Sequence, residues 1–192
     1  MRATVRGRRD RGSTFVELVM ALSLLGLAAG SIYAFISTGG KSARLTNNFV
    51  QSQSQVRAGL DNVIDEIRWA QNVTAANGIS VTLLIPQSTP FSAASPYTVT
   101  FAYDAAADTL TRQVDPDGAG PAAAGPADPV AFGVVQGNGA DGAAFEYFDA
   151  AGTALGATPG DLTAIARVRL TITTTSDQIS RVFAGDAALR AR

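Results

Sequence analysis

The spacing of apolar residues changes twice along the chain, and each change marks a new kind of element. Residues 18–40 are apolar or small, and no charge follows Glu17 until Lys41. A helix of that stretch, at ~1.5 Å per residue, is about 34 Å long, enough to cross a hydrocarbon core of ~30 Å. Beyond Lys41 the pattern stays helical but becomes one-sided. Leu45, Phe49, Val56, Leu60, Val63, Ile64 and Ile67 recur at steps near three, four and seven. Arg57 with Asp61, and Asp65 with Arg68, have the spacing of surface pairs on a helix. Trp69 and Val73 prolong the stripe toward a stop at Asn77-Gly78, and Gly39-Gly40 is an expected bend. An apolar stripe must lie on something, and a sheet downstream is the expected partner.

After Gly78 the period drops to two. Residues 79–85 read as a strand, followed by a Ser- and Pro-rich loop over 86–96. Tyr97, Val99, Phe101 and Tyr103 then alternate with polar or small residues, and 109–114 returns across a short connection, which predicts a hairpin. Residues 115–129 read as a loop, 130–135 and 143–148 as strands around a turn at 136–142, and 149–161 as another loop. In 165–173 Ala166, Val168, Leu170 and Ile172 face one way, and Arg167 and Arg169 the other. A last strand is expected over 178–183 and a frayed tail over 185–192. The fold class is therefore α+β: a long N-terminal helix, membrane-spanning in its first half and amphipathic in its second, packed on an antiparallel β-sheet domain.

Composition narrows the chemistry. The chain of 192 residues has no Cys and no His, so no disulfide staples it. A Ser-His-Asp triad, a Cys nucleophile and most transition-metal sites are excluded. Carboxylate or Lys chemistry survives that count, but nothing in the sequence points to it. No catalytic residue, cofactor or metal is expected, and the chain does not read as an enzyme. Asp115-Pro116-Asp117-Gly118 begins like a calcium loop but lacks the later acids, so it reads as a turn. Asn138-Gly139-Ala140-Asp141-Gly142 is likewise turn chemistry. Tyr97, Phe101 and Tyr103 share a face and are expected to be sheet core rather than a stacking platform for a ligand. Arg167 and Arg169 are expected to face solvent.

Charge is divided unevenly. Residues 1–12 hold five Arg against one Asp, a net of +4; with −1 for the whole chain, the remainder carries −5. Positive charge before the span predicts a cytoplasmic N-terminus and a C-terminal domain on the far side. A net negative remainder makes no electrostatic case for nucleic-acid binding. A secretory signal peptide is the rival reading, but the apolar run is too long and no small-x-small site closes it. One acid, Glu17, stands at the lip of the span, where a carboxylate is costly and marks function. Within the span, Gly26-Leu27-Ala28-Ala29-Gly30 is a G-x-x-x-G. It either lets another helix approach closely or reflects the frequency of Gly in membrane helices.

Basic leader, Gly12, Ser13-Thr14-Phe15-Val16, Glu17 and apolar run together resemble the cleavage and methylation signature of type IV pilins and type II secretion pseudopilins. The resemblance implies cleavage after Gly12 by a membrane prepilin peptidase and N-methylation of Ser13, the new first residue. Phe or Met often stands first in that family. The fifth mature residue is Glu in the family, and here that is Glu17, implied to act in assembly. The organisation expected is a cleaved leader over 1–12, an assembly helix over 13–40, an amphipathic helix over 41–76 and an extracytoplasmic β-rich domain over 77–192. Tyr97-Thr98-Val99-Thr100-Phe101-Ala102-Tyr103-Asp104 and Phe145-Glu146-Tyr147-Phe148-Asp149 are similar to stretches of W-type minor pilins and J-type pseudopilins. The resemblance implies a single-pass inner-membrane protein that partners other pilins or pseudopilins and an inner-membrane assembly platform. Three functions stay open: a minor pilin initiating a type IV pilus or sitting near its tip, in adhesion, motility or DNA uptake; a minor pseudopilin of type II secretion; and a membrane-anchored binding domain that never polymerises.

Overall fold

The computed structural model describes residues 10–118, 120–132, 134, 142–176 and 179–190. The chain divides into two units, Met1–Asn48 and Phe49–Arg192. Helix α1, Asp10–Trp69, begins in the first and ends in the second. In the first unit every side chain from Thr14 to Arg44 is exposed, Phe15, Leu24, Leu25, Leu27 and Phe35 among them. The stretch Thr14–Arg44 is long and apolar enough to cross a membrane. Its hydroxyls suit that solvent. Ser23 donates to the Val19 carbonyl (2.8 Å), Ser31 to Ala28 (2.8 Å) and Ser37 to Ala34 (3.0 Å), so these hydroxyls do not need water.

In the second unit α1 buries Val56, Gly59, Leu60, Val63, Ile64 and Ile67, a stripe at steps of three and four. The last turn closes where Ala70 N–H donates to the Ile67 carbonyl (3.0 Å). Among the described residues nine strands follow: β1 Asn72–Ala76, β2 Ser80–Ile85, β3 Tyr97–Asp104, β4 Thr109–Asp115, β5 Ala127–Phe132, β6 Ala143–Phe148, β7 Ala154–Gly156, β8 Arg167–Ser176 and β9 Ile179–Ala188. They form two antiparallel sheets, one in the order β1-β2-β3-β4-β5 and one in the order β7-β6-β8-β9.

Alternation decides which face each strand buries. Val81, Leu83, Ile85, Tyr97, Val99, Phe101 and Leu110 line the inner face of the first sheet; Phe145, Tyr147, Val168, Leu170 and Ile172 line that of the second. Two glycines let the helix come close. Gly59 lies against the Val130 carbonyl and Ala131 of β5, and Gly185 of β9 lies against Ile64 and Leu60. The sheets are tied to each other as well. Phe145 N–H donates to the Gly78 carbonyl (2.8 Å), and the Tyr147 hydroxyl is within reach of the Asn77 and Ser80 carbonyls (2.8 and 3.0 Å).

Several expectations are corrected. The amphipathic helix stops at Trp69, not 76, and Gly39-Gly40 lies inside α1 without ending it. Residues 72–76 are strand because Val73 is buried in the sheet and pairs with Leu83 of β2. Asn77-Gly78 is therefore a hairpin turn, its Asn77 carboxamide oxygen accepting from Ile79 and Ser80 N–H (2.9 and 2.7 Å). β5 starts at Ala127, inside the expected loop, and β7 lies in the other. β9 runs to Ala188, and the tail is held beyond it: Leu189 N–H donates to the Ala166 carbonyl and Arg190 N–H to that of Ala70 (both 2.9 Å). The turn at 136–142 lies almost wholly outside the described residues.

Candidate functional site

The residues singled out near the N-terminus all lie on α1. Gly12 and Ser13 belong to its first turn, and Glu17 is exposed one turn further on. Four residues along a helix rise about 6 Å, so an amine at Ser13 would lie one turn from the Glu17 carboxylate. An added Cβ at Gly26 or Gly30 would meet nothing within 4 Å, so both present open backbone. At ~100° per residue, Gly26 and Gly30 fall on the side of α1 roughly opposite Glu17. The acid and the small-residue face thus lie on opposite sides of α1.

The second unit holds a polar cluster absent from the sequence reading. Glu66 is 1 % exposed. Its carboxylate accepts from Arg112 at both oxygens, from Nε to Oε2 and from a terminal nitrogen to Oε1 (each 2.7 Å). The Tyr97 hydroxyl donates to Oε1 as well (2.9 Å), and Thr89 shares a hydrogen bond with that hydroxyl (2.6 Å). Arg112 also donates to the Phe91 carbonyl (3.3 Å) and stands over the Phe91 ring. The cluster therefore joins helix, β3, β4 and the loop between β2 and β3. Burial pushes the Tyr97 phenol up to about 12. The hydrogen bond to Glu66 raises Arg112 further. This cluster fastens the helix to the sheet; its groups are saturated by one another, so it has no free acid or base.

Each partner had a signal in the sequence. Glu66 lies three residues after Val63, on the apolar stripe, and Arg112 lies two after Leu110, on the inward parity of β4. Two opposite charges that each break an apolar pattern are a pair waiting to be matched.

The remaining motifs are structural. Asp115 Oδ1 accepts from Asp117 N–H (3.2 Å), Asp117 Oδ2 accepts from Ala122 N–H (2.9 Å), and Gly118 takes a positive φ of 65°: a turn. Among the described residues no group of three or more acidic side chains could hold a metal ion. Tyr97, Phe101 and Tyr103 are buried core, as expected. Arg167 and Arg169 lie on the outward face, partly exposed, as expected, and they have partners there. Their guanidinium carbons stand 4.6 and 4.9 Å from the centre of the Phe148 ring, and they reach Asp186 (3.8 Å) and Glu146 (3.5 Å). They cover an aromatic ring on the outer, solvent-facing side of the second sheet. Asp65 and Arg68 pair on the helix surface (2.6 Å); Arg57 and Asp61 form no ion pair among the described residues. No protein-family model and no curated protein sequence matches the chain.

Proposed function

We infer that this chain is a minor subunit of a type IV pilus, cut after Gly12 and inserted in the inner membrane through the N-terminal part of α1. One observation carries the reading: in the sequence a basic leader runs up to Gly12, and Gly12, Ser13, Glu17 and a span without further charge lie on one long helix. The leader stays cytoplasmic and the β-domain stands on the other side, as the charge asymmetry directs. The α+β architecture, a long apolar helix followed by antiparallel sheets, is compatible with a pilin-like subunit. Exposed apolar side chains from Phe15 to Ile36 need lipid before assembly and neighbouring helices after it.

In assembly, Glu17 pairs with the terminal ammonium of an adjacent subunit, and the Gly26/Gly30 face takes a second helix. Intact-mass measurement of membrane-extracted protein tests the reading. The mature chain begins at Ser13, with or without an added methyl group. A mass that retains residues 1–12 in a host with active prepilin peptidase overturns it. A type II secretion pseudopilin would share this N-terminus, and a deletion separates the two: fewer pili with normal secretion fits the pilus, and impaired secretion with normal pili fits the pseudopilus.

A further inference from the structure

The alternation that buries Tyr97, Val99 and Phe101 turns Thr98 and Thr100 to the outer side of the first sheet. Register lines them up with their neighbours there. One rung runs Thr82, Thr100, Gln113 across β2, β3 and β4, and the next runs Leu84, Thr98, Asp115. These side chains floor a cleft of about 540 Å³, a volume that suits a small ligand or a single side chain. Thr74 of β1 and Asp117, Gly118 and Ala124 of the β4–β5 connection complete its lining. That connection is fastened to the sheet. Gly125 N–H donates to the Val114 carbonyl (2.8 Å), and Gln113 Nε2 donates to the Gly125 carbonyl (2.9 Å).

The unmatched groups of this cleft are mostly acceptors. Asp115 Oδ1 accepts from Asp117 N–H and Asp117 Oδ2 from Ala122 N–H, which leaves Asp115 Oδ2 and Asp117 Oδ1 without a partner among the described residues. Gln113 uses its amide nitrogen on Gly125, and its Oε1 likewise has no partner among the described residues. Thr82 and Thr100 share one hydrogen bond between their hydroxyls (2.9 Å). Two acids and no Lys or Arg line the cleft among the described residues. Residue 119 of the connection, outside them, is an alanine and brings no charge. A group that matches this set is positive, rich in N–H donors and without acceptors, which describes ammonium and guanidinium. The charge also stands at one end. Strands ~4.8 Å apart put Asp115 roughly 10 Å from Leu84 along their rung, with Thr98 between.

We propose that this cleft takes an arginine or lysine side chain of another polypeptide. The cationic end meets Asp115, Asp117 and Gln113 Oε1, and the aliphatic stem crosses Thr98 to lie against Leu84. A free polyamine is a poorer occupant, because its second cation would lie against Leu84, which offers no acceptor. An inorganic cation makes no use of Leu84. The proposal concerns the outer face of the β-domain and does not rest on the pilus reading.

Methyl NMR of the full chain in micelles of a non-ionic detergent tests it, with N-acetyl-arginine amide and its neutral isostere N-acetyl-citrulline amide as probes. The arginine amide shifts the Leu84, Thr98 and Thr100 methyl signals saturably and leaves those of Val168, in the core of the second sheet, unmoved. The citrulline amide binds roughly tenfold more weakly, the margin of a charge-assisted hydrogen bond over a neutral one. Replacing both acids, D115N with D117N, keeps an oxygen at each position for the backbone N–H it accepts from, and removes the difference between the probes. No saturable shift, equal binding of the two probes, or a difference that survives in the double variant would each overturn the proposal. Tighter binding of spermidine or of calcium ion would overturn it in favour of a free polyamine or a metal. Shifts that follow protein concentration without a probe would assign the face to a second copy of this chain instead.

Discussion

Two glutamates on α1 meet the same difficulty, a carboxylate without water, and resolve it differently. Glu66 is neutralised inside the chain by Arg112 and Tyr97. Glu17 has no ion-pair partner among the described residues, and the pairing proposed for it in assembly brings its counter-charge from another subunit. The first case predicts a strongly non-additive pair. Arg112→Met leaves a buried, uncompensated carboxylate and costs about 3–5 kcal/mol. Adding Glu66→Leu recovers most of that loss, because the desolvated charge is gone. Denaturant titration of the full chain in micelles measures both; additive losses would mean that the pair is not coupled. The second case predicts a loss of assembly without a loss of folding. Glu17→Val leaves insertion and cleavage intact and lowers incorporation into filaments, read by immunoblot of sheared fibres. Normal incorporation of that variant would remove the pairing role.

At the level of elements, close approach decides where the helix sits. A Cβ at Gly59 would run into the Val130 carbonyl, which is backbone and cannot rotate away. Gly59→Ala therefore costs about 1–3 kcal/mol, as overpacking does. Gly185→Ala costs less, because its nearest neighbour, Ile64 Cγ1 at 2.9 Å, belongs to a side chain that can shift. Thermal unfolding of the two variants ranks them, and an equal or reversed order contradicts this packing. The same elements show what the sequence made legible. The stripe from Val56 to Ile67 and the alternation from Tyr97 to Tyr103 were readable because burial follows period directly. The end of α1 was not. Val73 fits both the helical stripe and a strand, and only its pairing with Leu83 decides between them. The start of β5 was hidden by Pro129, which reads as a breaker but is tolerated on an edge. β7 has only three residues, too short for any period to register. Glu66 and Arg112 were each visible as exceptions; their partnership depends on the register of strands far apart in the chain.

At the scale of the molecule, the assembly reading makes a claim about copy number. A shaft subunit repeats its contacts thousands of times, so every surface loop must be accommodated at every interface. This chain keeps long irregular connections between β2 and β3 and between β4 and β5, and the first is fastened to the buried Glu66 cluster through Thr89 and Phe91. A subunit present once or a few times escapes that penalty, and its loops can serve recognition. On the proposed reading, Glu17 and the Gly26/Gly30 face supply the contacts shared with other subunits, while the β-domain selects which neighbours are accepted. Deletion of the protein is therefore expected to reduce the number of filaments while leaving their main constituent in place. Quantitative mass spectrometry of sheared filaments gives the direct measure, and the expected ratio is one copy to many of the principal pilin. If this chain is instead the most abundant pilin in the fibre, its loops are shaft contacts and the minor-subunit assignment is wrong.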